Sequence, residues 1–302
     1  MLIVLLLLIT LLLFLVLELI LRRRGLRDHG GWRTRPMPPP DPKAFRIVVL
    51  GDSIAFGPDL DEADTWPARL ARRLQQSYPD RHWQVINAGV SGNTVVDAYT
   101  RFGPHVQAYR PQLLILALGL NDCRRVYRAA DTRRQAAFKR NELSWWGKSY
   151  VLRGIVNRIS PLPRVDYTSE RAAEGPRTPL PLFEGVLRWL IEAGRRLPAA
   201  TVLITLTPVA PPPERVEEFA DWSRYNAAVR SLARSANVPL IEVSHPFKGI
   251  SAWADDGVHL SAEGEAALAD RVWQALQRPN MASLLQLPAI QPSNAELAPS
   301  LD

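Results

Sequence analysis

The sequence predicts an α/β fold: a doubly wound, flavodoxin-like, mostly parallel five-stranded sheet with helices on both faces. Three observations predict it. Short apolar runs recur at residues 46–50, 84–86, 113–118, 201–206 and 240–243. Longer amphipathic stretches lie between or after them, at residues 65–76, 94–109, 182–197, 216–236 and 261–277. The chain, 302 residues with 47% hydrophobic content, is also long enough to bury one large core. The runs are continuously apolar rather than alternating, as in strands covered on both faces. Alternation of strand and helix then puts helices on each side of a parallel sheet.

Taken in order, residues 1–21 are apolar except for Thr10 and Glu18. A helix of about 20 such residues crosses a hydrocarbon core of ~30 Å, so a transmembrane anchor is expected. No basic segment precedes it and no small-x-small cleavage pattern follows; Arg22-Arg23-Arg24 comes next, which favours a retained anchor over a cleaved signal. Glu18, near its end, is expected to reach the interface or pair with an arginine a turn away. The positive-inside rule would hold the domain in the cytoplasm. Residues 22–44 form a basic linker ending in Pro36, Pro38, Pro39, Pro40 and Pro42, read as a stiff extended spacer. The α/β domain is assigned to residues 45–279, and residues 280–302, with scattered Pro, Ser and Asn, to a disordered tail.

One stretch, residues 124–178, is too long for a plain connection between the third strand and its helix. Leu143, Trp146, Tyr150, Val151 and Ile155 recur there at helical spacing, with Lys148, Arg153 and Arg158 among them. A lid or a membrane-contacting helix is one reading, and a stripe packed on the domain is the plainer one. Either shapes substrate choice, because the insertion leaves the sheet directly after Asn121.

The formal net charge of +7 is concentrated around Arg22, Arg23, Arg24, Arg27, Arg33 and Arg35, and between Arg124 and Arg171. Neither cluster builds a groove with interleaved stacking aromatics, so no nucleic-acid partner is expected. An anionic membrane surface accounts for the first cluster, at about 1 kcal/mol per basic residue. Cys123 is the only cysteine, which excludes an intrachain disulfide, and it reads as a small apolar residue rather than a nucleophile. His29, His82, His105 and His245 show no metal-ligand spacing, so neither a metal nor a cofactor is expected.

Four short blocks carry chemistry: Gly51-Asp52-Ser53, Asn87-Ala88-Gly89-Val90-Ser91-Gly92, Gly119-Leu120-Asn121-Asp122 and Asp256-Gly257-Val258-His259. A serine hydroxyl attacks an acyl carbonyl well only when a base removes its proton, and imidazole suits that task when a carboxylate fixes its tautomer. Ser53, His259 and Asp256 fit those roles. The developing oxyanion needs fixed donors, and the backbone N–H groups of Ser53 and Gly92 with the side-chain amide of Asn121 are the candidates. Ser53, Gly92, Asn121, Asp256 and His259 all follow carboxyl ends of predicted strands, where open α/β sheets bind ligands. Asp122 is expected to orient the Asn121 loop or cap the next turn. Ser91 and Asn93 are expected to hold the Gly92 turn by side-chain hydrogen bonds.

On these blocks the chain resembles the SGNH hydrolases of the GDSL esterase/lipase superfamily over roughly residues 45 to 279. The four name-giving positions fall on Ser53, Gly92, Asn121 and His259, and the family's aspartate, three residues before the histidine, falls on Asp256 rather than Asp255. The first block reads GDSI where the family name has GDSL. No Gly-x-Ser-x-Gly elbow surrounds the serine, which separates the chain from the α/β-hydrolases. The resemblance implies the SGNH-hydrolase fold and a serine esterase acting on a lipid, glycan or small-molecule ester. An O-acyltransferase using a sugar or lipid hydroxyl as acceptor would need the same site. A catalytically silent binding module is the third reading, against which the intact residues argue. Resemblance to anchored bacterial proteins places the domain outside the cytoplasm, against the charge rule.

Overall fold

The structure is a computed structural model that describes residues 2–24, 37–125, 149–159, 175–197, 199–210 and 217–285. In chain order the elements are α1 (Leu2–Arg24), β1 (Phe45–Gly51), α2 (Ser53–Phe56), α3 (Trp66–Ser77), β2 (Trp83–Gly89), α4 (Val95–Thr100), α5 (Phe102–His105), β3 (Leu113–Ala117) and α6 (Leu120–Cys123). Then come α7 (Tyr150–Ile159), α8 (Leu180–Arg195), β4 (Ala200–Ile204), α9 (Trp222–Ser235), β5 (Leu240–Ile241), α10 (Ala262–Leu276) and α11 (Pro279–Ala282).

The five strands form one parallel sheet of order β2-β1-β3-β4-β5, as expected for a doubly wound fold. Ile47 to Leu50 and Leu113 to Ile115 are fully buried, so helices cover both faces of the central strands. Register aligns the strand ends: Gly51 lies opposite Gly89 of β2 and Ala117 of β3. The order reverses at β1, leaving a crevice outside the carboxyl ends of β1 and β3, and the chain enters it from three strands at one level.

Local chemistry moves several boundaries. The helix expected over residues 94–109 is broken into α4, α5 and a 3₁₀ turn at Gln107–Tyr109. Pro104 has no N–H to give and its ring clashes with the carbonyl four residues back, at Thr100, where α4 ends. The runs at residues 201–206 and 240–243 yield shorter strands. There the Thr205 hydroxyl accepts the Val243 N–H at 2.8 Å in place of a main-chain carbonyl. The tail assigned from residue 280 begins later: α11 and a 3₁₀ turn at Ser283–Leu285 follow α10, with Met281 and Leu285 buried. Arg81 donates to the Leu285 carbonyl at 2.6 Å, which fastens this extension beside β2. Residues 286–302 lie outside the described residues.

The end of the proline-rich linker is docked rather than free. Gln84 donates to the Pro39 carbonyl at 2.9 Å and accepts the Asp41 N–H at 2.9 Å. The side chains of Arg22, Arg23 and Arg24, and all of Arg27, His29, Arg33, Arg35 and Pro36, lie outside the described residues. So do Leu143, Trp146, Lys148 and Arg171 and the side chains of Tyr150 and Arg153.

Helix α1 exists as expected, and its side chains are described from Ile9 to Ile20. Among the described residues, no helix is long and apolar enough to cross a membrane. The expected pairing of Glu18 with an arginine a turn away falls on side chains outside the described residues. Glu18 Oε2 accepts the Ser149 hydroxyl at 2.8 Å and the Val151 N–H at 3.0 Å, so it caps the first turn of α7. Val151 is buried at that junction, whereas Ile155 and Ile159, further along the same face, are exposed.

Candidate active site

Ser53 opens α2 directly after β1. Asp52 is the N-cap, its Oδ1 accepting the Ile54 N–H at 2.9 Å, which turns the chain from strand to helix within one residue. As a first-turn residue, Ser53 has an N–H without an intrahelical acceptor. Asn87 holds this turn against β2, donating to the Ala55 carbonyl at 2.7 Å.

The loop before α10 carries the acid and the base. Asp256 Oδ1 accepts the N–H groups of Val258 and His259, both at 2.9 Å, and Gly257 takes φ +68° to close that turn. The other oxygen, Oδ2, accepts His259 Nδ1–H at 2.5 Å. That bond leaves Nε2 as the acceptor, and it meets the Ser53 hydroxyl at 3.0 Å. Burial pushes the Asp256 carboxyl up, but the His259 ring and the two backbone donors outweigh it and hold the group well below the usual carboxylate range. Asp255 makes no hydrogen bond to His259 among the described residues. Behind the loop, buried Glu265 of α10 accepts the Trp66 N–H at 2.6 Å and so ties α10 to the start of α3.

The donor loops stand beside the serine. Residues Val90 to Asn93 form a turn closed by Asn93 N–H to the Val90 carbonyl at 3.2 Å, with Gly92 at φ +77° in its third position, where a side chain would be strained. Asn121 is presented by α6, which Gly119 opens at φ +128°. Its Nδ2 is buried and meets no acceptor among the described residues. An unpaired buried amide costs about 1–3 kcal/mol, a cost that a ligand oxygen removes.

Residues around these loops do work that sequence reasoning missed or placed elsewhere. Arg101 donates to the Gly51 carbonyl at 2.7 Å, the Ala88 carbonyl at 2.6 Å and Asn93 Oδ1 at 2.5 Å, bracing the ends of β1 and β2 and the Gly92 turn together. Its Nη1 also lies 3.0 Å from His105 Nδ1; burial and this guanidinium lower that imidazole to about 4, so it stays neutral and accepts. Asn93 thus holds the turn as expected, but through Arg101. The Ser91 hydroxyl, expected to help, is buried without a hydrogen bond among the described residues. Asp122 caps α4 rather than the next turn: its carboxylate receives the Val95 N–H at 3.1 and 3.2 Å. Cys123 is fully buried, its thiol donates to the Leu120 carbonyl at 3.2 Å, and burial raises it well above its ordinary value, so it is no nucleophile. An arginine nine residues beyond Gly92 gave no motif; only the chain's return onto β1 reveals its purpose.

Two buried carboxyls give a pH signature. Burial raises Asp52 to about 6 and Asp122 to about 7, from 3.8. The folded protein therefore holds these protons more tightly than the unfolded chain, and their contribution to stability is complete below about pH 4 and lost as pH rises through 6 to 7. Glu242, lowered to about 2 by its hydrogen bonds to Arg230, Ser244 and Thr205 against the opposing effect of burial, acts in the other sense and only at lower pH. We expect thermal midpoints to fall between pH 4.5 and 7.5, and Asp122→Asn to flatten that fall. An unchanged slope in the variant would remove Asp122 as its source.

The chain is similar to known proteins in sequence and in fold. A model of the GDSL-like lipase/acylhydrolase family matches residues 49–267. The chain is 30% identical over 112 residues to the esterase TesA of Pseudomonas aeruginosa, covering 37% of this chain and 55% of that protein. It is 41% identical over 91 residues to an acetylxylan esterase of Geobacillus stearothermophilus, covering 27% of this chain and 42% of the relative. The chain thus spans about half the length of these curated relatives. Among solved structures, the lipase/acylhydrolase from Enterococcus faecalis shares the fold at a TM-score of 0.52 and 20% identity, over 82% of this chain and 98% of that one. With the family model covering most of the chain and both ends of the site, the protein belongs to the GDSL-like lipase/acylhydrolase family.

Proposed function

We propose that the protein hydrolyses carboxylic esters through an acyl-Ser53 intermediate. The observation that carries this reading is the hydrogen-bonded line from Asp256 through His259 to Ser53, beside the amide of Asn121, which has no partner among the described residues. His259 Nε2 takes the hydroxyl proton as Ser53 Oγ attacks the acyl carbon, while Asp256 holds the Nδ1–H and stabilises the imidazolium. The Ser53 and Gly92 N–H groups and Asn121 Nδ2 receive the negative carbonyl oxygen. His259 then protonates the leaving alcohol, and water repeats the sequence on the acyl-enzyme. The relatives named esterase and acetylxylan esterase favour acyl or acetyl esters as the substrate class.

The same reading includes a membrane anchor. Leu11, Leu12, Leu13, Leu15, Leu17 and Leu19 of α1 are each 45–64% exposed, and lipid is the environment that so much exposed apolar helix surface favours. Glu18, buried as the cap of α7, keeps its carboxylate away from that environment. The full chain is expected in the membrane fraction after carbonate extraction, and a chain lacking residues 1–44 in the supernatant. Protease added to intact cells decides the side that the domain faces, for which the arginine-rich flank and the resemblance to anchored bacterial proteins give opposite expectations.

Rapid mixing with p-nitrophenyl acetate should release a burst of nitrophenol equal to the enzyme present, and EDTA should leave it unchanged. Absence of both burst and fluorophosphonate labelling would end the hydrolase reading. Acceptor alcohols that divert the acyl group at the expense of hydrolysis would turn it into the transferase reading.

A further inference from the structure

The neck of the 124–178 insertion is built into the donor loops. Arg125 and Pro176 pair as an antiparallel bridge, and the Arg177 N–H meets the Arg124 carbonyl at 2.9 Å, so the two ends of the insertion leave and return side by side. Ion pairs from Arg124 to Glu218 at 2.9 Å and from Arg125 to Asp221 at 3.0 Å fasten this neck to the segment before α9. From the returning strand, Arg177 Nη1 donates to the Gly92 carbonyl at 2.5 Å. The next residue, Thr178, gives its N–H to the Asp122 carbonyl at 3.1 Å and its side chain to the Asp122 carboxylate, which in turn caps α4. Tyr225 donates its hydroxyl to the Thr178 carbonyl and holds this strand from α9.

Two consecutive residues therefore touch both donor loops, one at Gly92 and one at the neighbour of Asn121. Gly92 has no side chain, and its only polar groups are its N–H and its carbonyl. If the N–H serves a substrate oxygen, the carbonyl is the one handle by which Gly92 itself can be held. A charged donor at hydrogen-bond distance is the strongest grip available for it. Resting on the hydrolase reading above, we propose that Arg177 is a positioning residue for the oxyanion hole: it fixes the Gly92 donor relative to Asn121 and makes the insertion's neck part of the catalytic geometry. The insertion then acts on the rate of acyl transfer through its root, and not only on substrate binding through its body.

The test uses the full chain with p-nitrophenyl acetate, rates being expressed per fluorophosphonate-titrated site. Arg177→Ala should lower kcat by about 10-fold to 10²-fold with KM nearly unchanged, since a donor misplaced by a fraction of an ångström is felt mainly in the tetrahedral state. Arg177→Lys, which keeps a cation within reach, should recover part of the loss. In an Arg177→Ala/Asn121→Ala double variant the loss should be smaller than the product of the two single losses, because both act on one oxyanion. A purely structural arginine would reduce the titrated fraction and leave kcat per site alone. That result, or losses that multiply independently, overturns the proposal. If the alanine variant does not fold, the lysine variant carries the same comparison, a normal kcat per site counting against it. A wild-type chain without a burst defeats the hydrolase reading instead, so the two failures are distinct.

Discussion

Ser53→Ala is expected to abolish ester turnover and fluorophosphonate labelling while leaving the fold in place. Ser53 is buried at the first position of α2, and its hydroxyl meets His259 Nε2 at 3.0 Å. The cap that forms α2 belongs to Asp52, so removing the serine oxygen leaves the helix start, Asp52 to Ile54 N–H, untouched. Loss of the nucleophile in a triad of this kind costs about 10⁶ in kcat, and the residue that remains comes from the oxyanion donors and binding alone. Melting curves of the variant should match wild type to within a few degrees, and labelling should vanish from the whole chain. Labelling at another serine in the variant, or turnover within 10-fold of wild type, would move the nucleophile elsewhere.

The parts of this fold legible in the sequence are those decided by local pattern. Fully buried strand segments such as residues 47–50 show as unbroken apolar runs, and the strands' carboxyl ends carry the motif residues because β1, β2 and β3 end in register. Ser53 with His259 and Asp256 were therefore placeable from the blocks alone, across 206 residues of separation between serine and histidine. What the pattern could not show depends on contacts remote in sequence or on single residues that veto a periodicity. Pro104 breaks an amphipathic stretch that otherwise reads as one helix. Thr205 offers a side-chain oxygen where a ladder carbonyl was expected. Arg101 and Arg177 look like surface charge in the sequence, and become braces only because the chain returns Gly51, Ala88 and Gly92 to their side chains. Met281 and Leu285 stand in a stretch with scattered Pro, Ser and Asn and no sustained periodicity, yet both are buried against the domain.

Asn121→Ala is expected to lower kcat by about 10² to 10³ with little change in KM, which corresponds to roughly 2.7–4 kcal/mol of barrier. The amide Nδ2 is buried and meets no acceptor among the described residues, so deleting it breaks no hydrogen bond there and removes an unsatisfied donor. The ground state of the enzyme is thus unharmed or slightly stabilised, and the loss falls on the state in which the carbonyl oxygen carries full charge. Asn121→Asp should be slower still, because it puts an acceptor and an anion where negative charge must develop. Gly92→Ala asks a different thing: its N–H remains, and the change strains a residue held at φ +77°, so it reports the turn and not a missing donor. Steady-state kinetics with p-nitrophenyl acetate, normalised to titrated sites, separate these cases. A rise in KM alone for Asn121→Ala, with kcat unchanged, would make Asn121 a ground-state binding residue and leave the oxyanion to the two backbone donors.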